Sequence, residues 1–70
     1  MTTWNYRIVR HDDCVGLHEV FYNEDGSVRA WTENPVRFVG DDEADLVRSL
    51  ERALKDAVAR PIIDPKDYER

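Results

Sequence analysis

Apolar and polar residues alternate from Thr3 to His11, which predicts a first β-strand. Trp4, Tyr6, Ile8 and Arg10 fall on one face, with Asn5, Arg7, Val9 and His11 on the other. Asp12-Asp13-Cys14 interrupt that pattern as a short loop, long enough for an antiparallel return. Leu17–Tyr22 and Ser27–Glu33 read as two further strands around Asn23-Glu24-Asp25-Gly26-Ser27. Asn and Asp suit tight turns, and Gly26 can take the positive φ that closes a three-residue hairpin loop with a bulge. With Asn23 opposite Ser27, Tyr22 pairs with Val28, Val20 with Ala30 and His18 with Thr32 on one face. Phe21 then meets Arg29, Glu19 meets Trp31, and Leu17 meets Glu33 on the other.

Asn34-Pro35 end the third strand, because proline lacks the donor a ladder needs. Val36–Val39 form a candidate fourth, edge strand. Beyond Gly40 the period changes. Leu46, Val47, Leu50, Ala53, Leu54, Ala57 and Val58 recur at helical steps, predicting a helix from Glu43 to about Ala59. Asp41-Asp42 supply the N-cap, Glu43 and Asp45 place acids in the first turn, and Pro61 stops the helix. Ile62 and Ile63 are expected to tuck against the core, and residues 66–70 to form a frayed end.

The resulting fold is α+β in β-β-β-α order. An antiparallel sheet of three strands, or four with Val36–Val39, carries one C-terminal helix on one face, in a single domain spanning 1–65. Tyr6, Ile8, Val20, Val28 and Ala30 make the more apolar face and are expected beneath the helix. Arg7, Val9, Glu19, Phe21, Arg29 and Trp31 are left uncovered.

Length sharpens the picture, since a 70-residue chain buries only about 60% of the surface its unfolded form exposes. Such a core is marginal unless a metal, a partner or a second copy supports it. Cys14 is the one cysteine, so no internal disulfide can form. A lone thiol and the lack of a signal-like apolar segment at the N-terminus suggest a cytoplasmic setting, with no membrane span. The net charge of −5 is spread evenly: four Arg against six acids in residues 1–40, and six bases against nine acids in residues 41–70. That balance argues against nucleic acid, whose phosphates need clustered Lys and Arg.

Trp4-Asn5-Tyr6-Arg7, His18-Glu19-Val20-Phe21-Tyr22, Asp25-Gly26 and Trp31-Thr32-Glu33-Asn34-Pro35 resemble a set of short bacterial proteins to which no activity is attached. The order of sheet, glycine and acid-capped helix at Gly40-Asp41-Asp42-Glu43-Ala44-Asp45-Leu46 is similar to the small domain of HicB-type antitoxins. That likeness covers order and capping, without the proline-glycine signature that usually precedes the helix there. It implies an antitoxin-like or anti-defence inhibitor of a larger partner, and no residue role is carried over from it.

Three clusters bear on chemistry. His11-x-x-Cys14-x-x-x-His18 is the one metal-like spacing, but no convincing fourth zinc ligand accompanies it, so neither metal nor cofactor is expected. Cysteine catalysis needs a base and an oxyanion hole around Cys14, and neither a glycine-rich nor a helix-N-terminal frame lies nearby. Asp41, Asp42, Glu43 and Asp45 sit where a helix start ordinarily carries acids. The uncovered sheet face is the strongest candidate. Trp31, Phe21, Arg7, Arg29 and Glu19 combine residue types enriched at protein interfaces, or form a self-supporting lattice of arginines over aromatic rings. The sequence thus points to a non-catalytic interaction module, with a protein partner or a homodimer through that face. A small-ligand or metal module around His11, Cys14 and His18 is the alternative.

Overall fold

The computed structural model describes residues 3–68. Strands β1 (Thr3–Arg10), β2 (Val15–Tyr22) and β3 (Val28–Trp31) are followed by helix α1 (Glu43–Ala59) and a 3-10 turn at Pro65–Tyr68. The sheet is antiparallel in the order β1-β2-β3, so the expected α+β architecture holds. The helix contacts β1.

The β2–β3 turn forms as its residues dictate. Gly26 takes φ 86°, its N–H donates to the Asn23 carbonyl at 3.0 Å, and the Asn23 N–H donates to the Ser27 carbonyl at 2.9 Å. The Asp25 carboxylate accepts from the Ser27 N–H at 2.9 Å and the Ser27 hydroxyl at 2.6 Å. These two bonds favour the ionised carboxylate and hold Asp25 below the usual carboxylate range.

Beyond the turn the expected register fails after one pair. Tyr22 faces Val28, but an irregularity between Phe21 and Tyr22 then sets Phe21 against Ala30 and Val20 against Trp31. An extra residue in one strand exchanges the faces of all that follows. Trp31 therefore shares a side with Val20, not with Glu19. Across β1 and β2, Asn5 faces Val20, Arg7 faces His18 and Val9 faces Gly16. On the opposite side Trp4 faces Phe21, Tyr6 faces Glu19 and Ile8 faces Leu17. The set expected beneath the helix is thus divided, with Tyr6 and Ile8 on one side and Val20 and Val28 on the other.

The core lies on the Val20 side. Val9, Val20 and Ile63 are buried, with Tyr22, Val28 and Trp31 packed around them. Ile63 reaches it because the chain beyond the helix runs along the outer edge of β1. The Ile63 N–H donates to the Ile8 carbonyl and its carbonyl accepts from the Arg10 N–H, both at 2.8 Å. A one-residue parallel bridge thereby sets Ile63 beside Val9. The helix closes the same edge further along, where Asp56 accepts the Tyr6 N–H at 3.2 Å. Together they satisfy backbone groups that an open edge would expose.

At its start the helix is capped as expected, with the Asp42 carboxylate accepting from the Asp45 N–H at 2.8 Å. Val36–Val39 form no strand. Only the Val36 N–H continues toward β2, donating to the Leu17 carbonyl at 2.7 Å, before Phe38 turns to lie 6.0 Å from the Tyr6 ring. The expected frayed end is partly ordered: Lys66, Asp67 and Tyr68 belong to the 3-10 turn, and the Tyr68 ring meets Trp31 edge-on at 5.5 Å. Glu69 and Arg70, the rest of that expectation, lie outside the described residues.

Two outcomes follow. Ile63→Ala removes a buried side chain at the closing edge and should cost about 2–5 kcal/mol in denaturant unfolding, whereas the exposed neighbour substitution Ile62→Ala should change stability by less than about 0.5 kcal/mol. Asp25 is held low in the fold, so its contribution is complete above the ordinary carboxylate value and fades as pH falls through the lower folded value. The Ser27 amide shift should therefore titrate with a midpoint below about 3.9, and Asp25→Asn should abolish that inflection.

Candidate functional site

The five residues expected to form one binding face do not share a face. Arg7 and Trp31 lie on the core side and both are tied down. Arg7 Nη2 donates to the Pro61 carbonyl at 2.9 Å, and Trp31 packs on the core and against Tyr68. Glu19 and Phe21 lie on the opposite side, half-buried beside Tyr6 and Trp4. Arg29 is exposed where the β3 register shifts. The separation of Phe21 from Trp31 also removes the aromatic pair that could stack nucleobases.

An arginine–aromatic lattice does form, built from other residues. The Arg52 guanidinium sits 4.4 Å above the Trp4 ring and 5.9 Å from that of Tyr6, and Trp4 meets Tyr6 edge-on at 5.2 Å. Such contacts contribute about 0.5–1 kcal/mol each at exposed sites. They anchor the helix to β1.

The histidines come together, but not as ligands around a common point. His18 is buried, and its Nδ1 lies 2.8 Å from the Thr32 carbonyl and 3.2 Å from the Thr32 hydroxyl oxygen. A carbonyl can only accept, so Nδ1 carries the proton and donates to it. The His18 Nε2 is then the acceptor for the His11 Nε2–H, 2.8 Å away. His11 Nδ1, left as an acceptor, faces the Cys14 sulfur at 3.8 Å. Gly16 makes room for this arrangement: a Cβ there would stand 3.1 Å from the His11 ring and 3.2 Å from Pro35. Cys14 thus lies behind the His11 ring, away from the nitrogens that face each other. Among the described residues no group of three or more His, Cys, Asp or Glu side chains is placed to hold a metal ion. Desolvation first, then the charge and hydrogen bond of Asp13, push the Cys14 thiol above its ordinary value. A thiol so held is a poor nucleophile.

What the sequence reading missed lies on the helix. Its inward side is Leu46, Ser49, Ala53, Asp56 and Ala57, all buried or half-buried. The larger apolar residues point outward: Val47 is 49% exposed, Leu50 45%, Leu54 66% and Val58 76%. They form one ridge at i, i+3, i+7 and i+11. The available signal was the width of the stripe, which is broader than the single edge of β1 can cover. A shallow groove of about 410 Å³ at the free edge of β3, lined by Val28, Arg29, Ala30, Trp31 and Tyr68, is the other concave feature of note. No described helix is long and apolar enough to cross a membrane.

If the histidine pair is structural, His18→Leu should cost about 1–3 kcal/mol, because the His11 and Thr32 groups lose a buried partner. Equimolar zinc should leave the melting temperature of the parent protein unchanged. A zinc-dependent rise would restore the ligand reading.

Comparison with known proteins returns no match among family models, curated proteins or solved structures.

Proposed function

We propose that this chain is a non-catalytic protein–protein interaction module that self-associates, with the outward ridge of α1 as its contact surface. The observation that carries the reading is the ridge itself: four sizeable apolar side chains in one row, facing solvent. Contiguous apolar surface on a small protein marks contact sites more often than scattered single residues do. The core supports the same reading, since Val9, Val20, Ala53 and Ile63 are the only fully buried apolar residues among those described. A core so small gains from a partner that covers further apolar area. The protonated Cys14 thiol and the inward-facing histidine pair offer no activated group for catalysis.

Light scattering behind size exclusion, across a wide concentration range, is the test. The parent protein should move from monomer toward dimer with concentration. Leu54→Lys should keep it monomeric with an unchanged far-ultraviolet spectrum, because the position is exposed and its loss leaves the fold intact. A parent protein that stays monomeric throughout overturns the proposal.

A further inference from the structure

The pattern of charge beside the ridge goes further and, resting on self-association through α1, specifies the partner and its direction. We propose that α1 pairs with α1 of a second copy in an antiparallel, two-fold arrangement, Leu50 against Leu54 and Val47 against Val58.

Size argues for a second copy. The chain exposes 5639 Å², whereas a compact monomer of this length exposes about 4,500 Å². Its radius of gyration is 12.9 Å, against about 11 Å for a compact chain of 70 residues. The excess is of the order that one partner buries in a standard interface, about 800 Å². A two-fold pairing needs a self-complementary surface, and the ridge provides one. The row is symmetric about its own centre near position 52, with Val47 and Val58 about equally far from it and Leu50 and Leu54 likewise, so reversing one copy lays the two rows together.

Charge chooses the direction. The first half of the helix, through Glu51, carries Glu43, Asp45 and Glu51 against Arg48. The second half carries Lys55 and Arg60, its C-cap, while Arg52 and Asp56 pair with each other on the β1 side. Parallel pairing sets acid beside acid and base beside base; antiparallel pairing sets each against its opposite. Glu51 and Lys55 flank the ridge on one side and meet across the axis in each direction. Neither takes part in an ion pair among the described residues, where Arg48 pairs with Asp45 and Arg52 with Asp56. The apolar residues beyond the two ends follow the same logic. Val39 before the helix and Ile62 after it are both exposed, and antiparallel pairing carries one toward the other.

The test uses the full chain with Cys14→Ser as background. Val47→Cys and Val58→Cys variants are oxidised alone and mixed, under conditions where the parent dimerises. In the antiparallel pair each introduced thiol lies about 16 Å from its own symmetry mate, from 11 residues at 1.5 Å per residue, and near the other variant's thiol. A disulfide-linked dimer that forms only on mixing is the expected result. In parallel, Glu51→Lys and Lys55→Glu should each weaken dimerisation about tenfold by light scattering, and the double reversal should restore it. Self-linking of Val47→Cys alone, or single reversals without effect on a dimer, overturns the antiparallel pairing while leaving self-association standing. A parent chain that stays monomeric overturns both.

Discussion

Everything in this fold depends on closing the outer edge of β1. A three-stranded sheet has two open edges and two faces, and 70 residues cannot cover them all. The chain spends its C-terminal segment on one edge. Asp56 takes the Tyr6 amide, Ile63 exchanges two backbone bonds with β1, and Pro61 receives the Arg7 guanidinium. Because Ile63 enters as a strand residue, its side chain lands on the same side as Val9 and completes the core with Val20. The edge bond and the core contact are therefore one event. Breaking the backbone bridge removes the largest side chain from the core.

That economy has a consequence for the helix. A helix lying over a sheet face presents a wide arc to it, whereas one lying along an edge presents a narrow one. Here, beyond Leu46 in the first turn, the inward arc is filled by small or polar residues: Ser49, Ala53, Ala57 and the edge-capping Asp56. Small side chains allow close approach to β1, and Arg52 reaches over Trp4 and Tyr6 to fix the angle. The larger apolar residues are displaced outward by the same geometry. The exposed ridge is thus the counterpart of the closed edge.

Local features were legible in the sequence because local chemistry decides them. The turn at Gly26, the cap at Asp42 and the full extent of α1 all rest on residues within a few positions of one another. The faces were not legible. One irregularity beside Tyr22 moved Trp31 from the Glu19 side to the Val20 side, and alternation carries no mark of where a strand will shift. Helical periodicity likewise located the apolar stripe of α1 but not which part of it would turn inward. That depends on Asp56 finding the Tyr6 amide fifty residues away. Tyr68 was misread for a related reason: a charged terminal segment looks frayed until Trp31, on the newly assigned face, gives its ring a partner.

The same reassignment reorders the candidate surfaces. An aromatic sheet face is a persuasive interface only while its rings are free, and here Trp31, Tyr6 and Trp4 are each engaged by Tyr68, Phe38 or Arg52. The histidines are largely spent in the same sense: both nitrogens of His18 and Nε2 of His11 are taken by the chain that ends on the Thr32 carbonyl, and His11 Nδ1 faces the Cys14 sulfur. The free edge of β3 is short and irregular, which discourages strand addition. Helix α1 differs from all of these. Its outward residues have neither a partner layer nor a mutual lattice, and their flanking charges change sign along the axis. A surface that is apolar in the middle and reverses its charge end to end complements a reversed copy of itself, which is the simplest partner that can satisfy it.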